Sequence, residues 1–229
     1  MSQNLIKRII TSIILLFLFF IISFSNKYIF VFSICLVGFI ICIEANKIFL
    51  KLLEIKPYQV SYKITKFNLK FLILNLITFF YIFFIFCYFS YQLYLIQTPI
   101  FFLYLVFICF FTDIGGYICG KIIGGKKLTT ISPNKTISGT IGSFIFSIVP
   151  LILFSNLNYL KLEFDINNLI FCLIVSLISQ IGDLFISYLK RKANIKDTGK
   201  ILPGHGGILD RVDGIIFALP FSYLLIKFI

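Results

Sequence analysis

Tryptophan is absent from this 229-residue chain, and methionine and histidine occur once each. A single histidine, with no CxxC pair and no thiolate placed beside it, excludes the common zinc sites. The six cysteines, Cys35, Cys42, Cys87, Cys109, Cys119 and Cys172, lie in or at the edge of apolar runs and read as small hydrophobes. A P-loop pattern GxxxxGK[ST] is missing, and no strand precedes Gly116, Gly120 and Gly124 to make them a nucleotide fingerprint. Their four-residue spacing reads instead as close helix packing. No small-residue cleavage site follows the first apolar stretch, which is therefore expected to be a transmembrane helix and not a signal peptide. Internal repeats are also lacking, so a single integral membrane domain over residues 1–229 is the simplest organisation. Negative charge is scarce, with nine Asp and Glu against twenty-one Lys and Arg.

What the chain has in abundance is apolar surface: 59% hydrophobic residues and a mean hydropathy of +1.03 exclude a soluble globular domain. The thirty phenylalanines and the excess of lysine over arginine resemble the bias of an AT-rich genome and carry little functional weight. A spanning helix needs roughly 20 apolar residues. Seven runs approach that length: residues 9–25, 28–43, 71–89, 100–119, 139–154, 169–188 and 214–228. They predict an all-α, polytopic transmembrane helix bundle with about seven spans and polar loops on the cytoplasmic side. With the amino terminus inside, eighteen of the twenty-one cations fall in inner segments, leaving only Lys27, Lys161 and Lys227 outside. Short loops beside anionic headgroups account for the net charge of +12, so nucleic acid is not an expected partner. Residues 1–110 then supply N-terminal membrane helices and a basic segment, 47–70, which either lies on the inner leaflet or is a plain linker. Residues 111–229 supply the helices and loops that carry chemistry.

Six aspartates are present, and Asp113 and Asp183 fall inside the fourth and sixth apolar runs. A carboxylate at membrane depth costs at least about 2.5 to 3.5 kcal/mol unless it is paired, metal-bound or wet. Asp210 and Asp213, at i and i+3, would share one side of the seventh helix if it begins there. The four carboxylates either converge on Mg²⁺, which favours hard oxygen ligands and shared phosphates, or pair with lysines to brace the bundle. Residues 187–213 crowd six cations and three carboxylates between apolar spans, a composition suited to a polyanion and a metal ion. The loop before the fifth run adds Thr129, Thr130, Ser132, Thr136 and Ser138 around Lys135, a candidate phosphate cradle at a helix amino terminus. Gly204, Gly206 and Gly207 allow close backbone approach, and His205 among them either binds phosphate or caps the turn.

The block from Ser187 to Asp213 resembles the signature of the phosphatidate cytidylyltransferases, also called CDP-diacylglycerol synthases. Its fixed positions are Ser187, Lys190, Arg191, Lys196, Asp197, Pro203, His205, Gly206, Gly207, Asp210, Arg211 and Asp213. TDIGGYICGK, ISPNKT and QIGD resemble further family motifs, with looser echoes in RIITSIILL and Glu44. Ile137 and Ser138 stand where members commonly carry Trp and an acidic or amide residue, and Gly214 where Ser is common.

The resemblance implies an enzyme, a nucleotidyltransferase of phospholipid biosynthesis, that joins CTP to phosphatidate and releases pyrophosphate. It implies Asp183 and Asp210 as metal ligands for Mg²⁺, supported by Asp113 and Asp213, with K⁺ as a second cation. Asp183, Asp210, Lys196 and Arg211 are the implied catalytic residues. Ser132, Lys135, Thr136, Lys190, Arg191, His205, Gly206 and Gly207 are implied to hold the substrates. Membrane lipid and a homodimer partner are implied as well, in a bacterial inner membrane with the site facing the cytoplasm. The alternatives are an ion-coupled transporter using the intramembrane aspartates, a non-catalytic assembly factor, and a CTP-using enzyme acting on another lipid phosphate.

Overall fold

A computed structural model describes residues 3–54, 69–97, 99–129, 132, 135–155, 162–204 and 206–227. Among these residues ten α-helices and one π-helical stretch form, with two isolated bridges as the only extended pairing. Each of the seven apolar runs is helical over most of its described residues. They give α1 (Gln3–Ser23), α2 (Lys27–Leu52), and α3 (Leu69–Phe80), which continues through π-helical turns at Tyr81–Cys87 into α4 (Tyr88–Gln97). Next come α5 (Pro99–Ile122), α6 (Ile137–Ser147) and α7 (Val149–Ser155), then α8 (Ile166–Lys192), the short α9 (Leu209–Val212) and α10 (Ile215–Ile226).

Five stretches are long and apolar enough to cross a membrane: Lys27–Leu52, Leu69–Leu95, Pro99–Ile122, Ile137–Ser155 and Ile166–Lys192. The first and last runs are helical but shorter, at Ile10–Ser23 and the 12 residues of α10. The chain is therefore a helical integral membrane protein with five full-length spans among the described residues, against the seven expected. The basic segment expected at 47–70 begins within α2, and its residues 55–68 lie outside the described residues.

Two compact units emerge from the chain. The first comprises residues 1–88 and 189–212. In it α2 lies against α1, α3, the π-helical turns and α9. Asn26 caps α2 by accepting the Ile29 N–H at 3.0 Å. Phe30, Ile41 and Ile48 are buried along α2, and so is Glu44.

The second unit comprises residues 89–188 and 213–229, with α5 at its centre against α6, α7 and α10. Tyr104 is fully buried there, its hydroxyl 3.0 Å from the Cys172 thiol and its ring 5.6 Å from that of Phe154. Glycines bring α5 and α6 together: a Cβ on Gly116 would stand 2.6 Å from Ser143 Oγ, and one on Gly139 would stand 2.7 Å from the Gly116 carbonyl. Gly120 belongs to the same seam, with Gly139 Cα 3.6 Å from its Cβ direction. Gly124 does not. It follows the helix at φ +64° with no atom within 4 Å of its Cβ direction, so it is a turn glycine and the expected packing role is corrected.

Candidate functional site

In the first unit the chemistry gathers where α8 ends and the chain turns back toward α9. Asn194, at φ 53°, breaks the helix after three consecutive cations. The loop then folds on itself, Leu202 and Gly206 exchanging backbone hydrogen bonds of 2.9 and 3.2 Å, with Gly204 at φ 77° and Gly206 at φ 86°. Those positive dihedrals are open to glycine without strain, which is why the sequence concentrates glycine here.

Asp210 ties this loop together. Its Oδ1 accepts from Lys190 Nζ at 2.7 Å, and its Oδ2 accepts from the Thr198 N–H at 2.8 Å, the Thr198 hydroxyl at 3.0 Å and the Gly207 N–H at 3.0 Å. Both ionic side chains are largely covered, at 13% exposure for Lys190 and 6% for Asp210. Burial pushes the Asp210 carboxyl up, but the Lys190 ammonium and the Gly207 and Thr198 donors outweigh it and hold the group below its ordinary value. It stays an anion.

A cavity of about 610 Å³ opens beside this node, with Lys196, Lys200 and Arg211 on its wall, one carboxylate, Asp197, and the backbone of Gly199 and Gly206. Three exposed cations around a polar hollow can neutralise a phosphate chain. Of the expected substrate and catalytic residues, the first unit thus brings together Lys190, Lys196, Gly206, Gly207, Asp210 and Arg211. Arg191 lies exposed in the last turn of α8 and does not line the cavity. His205 lies outside the described residues, as do Thr130 and the centre of the ISPNKT motif.

The second unit holds the remaining expected residues. Lys135 Nζ forms an ion pair with Asp183 Oδ2, and Ser187 donates to Asp183 Oδ1 at 3.3 Å. The loop that delivers Lys135 is a hairpin: Leu128 N–H donates to the Lys135 carbonyl at 2.8 Å, Ile137 N–H to the Lys126 carbonyl at 3.0 Å, and Lys135 N–H to the Ser132 carbonyl at 3.0 Å. Thr136 then caps α6, accepting the Gly139 N–H at 3.1 Å. That N–H of the expected phosphate cradle is satisfied by the chain's own hydroxyl.

Asp113, on α5, is exposed. Asp213 does not sit on a helix running from Asp210, because α9 stops at Val212 and α10 starts at Ile215. It occupies the intervening turn, where its Oδ1 accepts the Gly214 N–H at 3.0 Å, so the shared helical face expected for Asp210 and Asp213 is corrected. Between α5 and α8, Thr112 donates to Ser176 at 3.0 Å and Gln180 donates to the same hydroxyl at 3.3 Å.

A sequence profile described as the cytidylyltransferase family matches residues 49–229, the whole stretch that carries both clusters. This chain belongs to the cytidylyltransferase family. Among its relatives is a phosphatidate cytidylyltransferase of Bacillus subtilis (strain 168), 45% identical over 116 residues, 50% of this chain and 43% of that protein. Phosphatidate cytidylyltransferases of Staphylococcus aureus (strain COL) and Staphylococcus haemolyticus (strain JCSC1435) are 46% and 44% identical over 129 residues, 54% of this chain and 48% of each. The matches thus span about half of this chain and just under half of the curated relatives.

Two sequence departures from the cytidylyltransferase pattern have a local physical basis. A Cβ on Gly214 would overlap Ser179 Oγ and stand 2.9 Å from the Ser179 carbonyl, so with Ser179 on α8 the facing position must be bare. Ser138 is 2.9 Å from Thr136 Oγ1 and donates to the Gly124 carbonyl, closing the hairpin that presents Lys135. Sequence reasoning missed Thr198, counted Lys200 only among the six cations of the block, and gave Glu44 only as a looser family echo without a role. The signal for Glu44 was available, since a carboxylate next to an apolar run raises the same question as Asp113 and Asp183. It falls one residue beyond the run 28–43 and so reads as a helix end, whereas α2 continues to Leu52.

Proposed function

We propose that this chain transfers the cytidylyl group of CTP to phosphatidate, giving CDP-diacylglycerol and pyrophosphate. An anionic phosphate oxygen of phosphatidate attacks the α-phosphorus of CTP, forming the new P–O bond while the bond to pyrophosphate breaks. No general base is needed, because the attacking oxygen is already ionised. Such chemistry asks the protein for positioning and charge stabilisation. The cavity walled by Lys196, Lys200 and Arg211 is the observation that carries this reading, since it offers three cations to a triphosphate in a loop fixed by Asp210 and Lys190.

The donor set of the second unit suits Mg²⁺. Asp183 already seats a cation, the Lys135 ammonium, and Mg²⁺ commonly takes one or two carboxylates and completes its shell with water and phosphate. Among the described residues no three His, Cys, Asp or Glu side chains form a metal-holding group, so the protein alone does not supply a full cage. Asp183 would hold the ion, with Asp113 and Asp213 as supporting carboxylates, and a second cation such as K⁺ follows from the resemblance. When bound, the metal would supply neutralising charge to the phosphates. An incoming ion would have to displace Lys135 at Asp183 and Lys190 at Asp210.

The charge asymmetry of the loops supports an active site facing the cytoplasm of a bacterial inner membrane, where CTP is dissolved and phosphatidate lies in the leaflet. A homodimer completes the proposal. The test is to incubate the purified protein in detergent micelles with radiolabelled CTP, Mg²⁺ and phosphatidate. Label is expected in the lipid phase, dependent on phosphatidate. Label that appears only with another lipid phosphate, or solute uptake by the protein in sealed lipid vesicles without lipid labelling in micelles, refutes the proposal.

A further inference from the structure

Glu44 lies on α2, far in sequence from the signature, and is 0% exposed. Among the described residues no ammonium or guanidinium pairs with it. A buried carboxylate needs strong donors, and Glu44 takes all of its own from one place. Its Oε2 accepts from the Leu209 N–H at 2.8 Å and the Thr198 hydroxyl at 3.0 Å, and its Oε1 from the Ile208 N–H at 3.2 Å. Thr198 Oγ1 lies at 3.0 Å from both Glu44 and Asp210, so its one hydroxyl proton is shared between the two carboxylates.

Two glycines confirm how closely the loop is seated. A Cβ on Gly199 would overlap Glu44 Oε1, with the next neighbour outside Glu44 at 3.4 Å, and a Cβ on Gly207 would overlap both Glu44 and Thr198. Gly199 also lines the cationic cavity. On the other side, Arg211 N–H donates to the Ile208 carbonyl at 2.9 Å, so the residue anchored by Glu44 sets the turn that carries Arg211.

We propose that Glu44 is a positioning residue for nucleotide binding: from α2 it fixes Thr198 and the backbone of residues 207–209, and through them the cationic wall formed by Lys196, Lys200 and Arg211. This rests on the assignment of that cavity to CTP. The carboxylate is required because each of its oxygens accepts a main-chain N–H. In Glu44→Gln the amide NH₂ would face the Ile208 or the Leu209 N–H, and that buried donor would lose its acceptor.

The experiment compares wild type, Glu44→Gln and Glu44→Asp in micelles by amide exchange over residues 207–212 and by initial rates against CTP and phosphatidate separately. Glu44→Gln is expected to speed exchange at Ile208 and Leu209 and to raise the KM for CTP by about tenfold or more, leaving that for phosphatidate within about twofold. Glu44→Asp should lie between. Gly199→Ala should also weaken CTP use, and adding Glu44→Asp, which withdraws the overlapping carboxylate, should restore part of it. Unchanged exchange with a wild-type KM for CTP overturns the inference, as does an equal rise in both KM values, the mark of general destabilisation. Faster exchange in Glu44→Gln, in a protein that transfers no label to lipid, keeps the anchoring role but removes the proposed reaction and Glu44's part in it.

Discussion

Asp210→Asn perturbs the site at its most connected atom pair. The wild-type carboxylate satisfies three N–H donors, one of them the ammonium of Lys190, and shares the Thr198 hydroxyl with Glu44; the Asp210 and Lys190 side chains are 6% and 13% exposed. Asparagine keeps one acceptor oxygen for Thr198 and Gly207, but turns an NH₂ toward Lys190. The ammonium is then covered and uncompensated, a condition that costs about 3–5 kcal/mol in buried pairs. Taking the lower end, about 3 kcal/mol, the midpoint of thermal unfolding should fall by about 6–12 °C for a chain of this size. Circular dichroism in detergent micelles suits the measurement, since the chain lacks tryptophan. Lys190→Met combined with Asp210→Asn removes the stranded charge and should recover part of the stability, an interaction of about 1–3 kcal/mol. Cytidylyl transfer should not recover, staying at least about a hundredfold below wild type in both, the scale of a lost electrostatic stabiliser. The pH dependence has a definite sign. Because the folded carboxyl titrates below its ordinary value of 3.8, its contribution is present above that value and is lost only as the pH falls through the lower folded one. The gap between wild type and Asp210→Asn should thus be constant from about pH 5 to 8 and close below about pH 4. An unchanged midpoint, or a double variant no more stable than Asp210→Asn, would refute the reasoning.

Lys200→Ala should raise the KM for CTP several-fold without shifting the unfolding midpoint, because the residue is exposed and lines only the cavity; kinetics beside circular dichroism checks both halves. Lys135→Met removes the partner of Asp183, whose side chain is 24% exposed, and should destabilise by about 1–2 kcal/mol, less than a fully buried pair. Asp183→Asn added to it should return part of that stability, as measured by thermal unfolding. Gly142→Ala should cost about 1–3 kcal/mol, because its Cβ would overlap Cys119 and stand 2.8 Å from the Gly115 carbonyl. Gly125→Ala, in a turn at φ 108° with no atom within 4 Å, should lose stability through backbone strain alone, and restoring glycine at that position in the same background recovers it.

The apolar runs determined every long helix by themselves, because a segment in lipid has no water to satisfy its backbone and must bond internally. The signature loop was equally legible, since cations and glycines inside an apolar chain serve no packing purpose. Helix length was not. Composition marks where lipid-compatible residues begin, whereas α2 and α8 run on into polar sequence as long as capping and tertiary contacts allow. Nor did sequence show which donors each carboxylate takes. Asp183 finds Lys135 from 48 positions upstream, and Glu44 finds backbone N–H groups more than 160 positions downstream. Two of the three donors that meet Glu44 are main-chain groups, identical in every residue but proline, so only the folded loop decides which of them reach it.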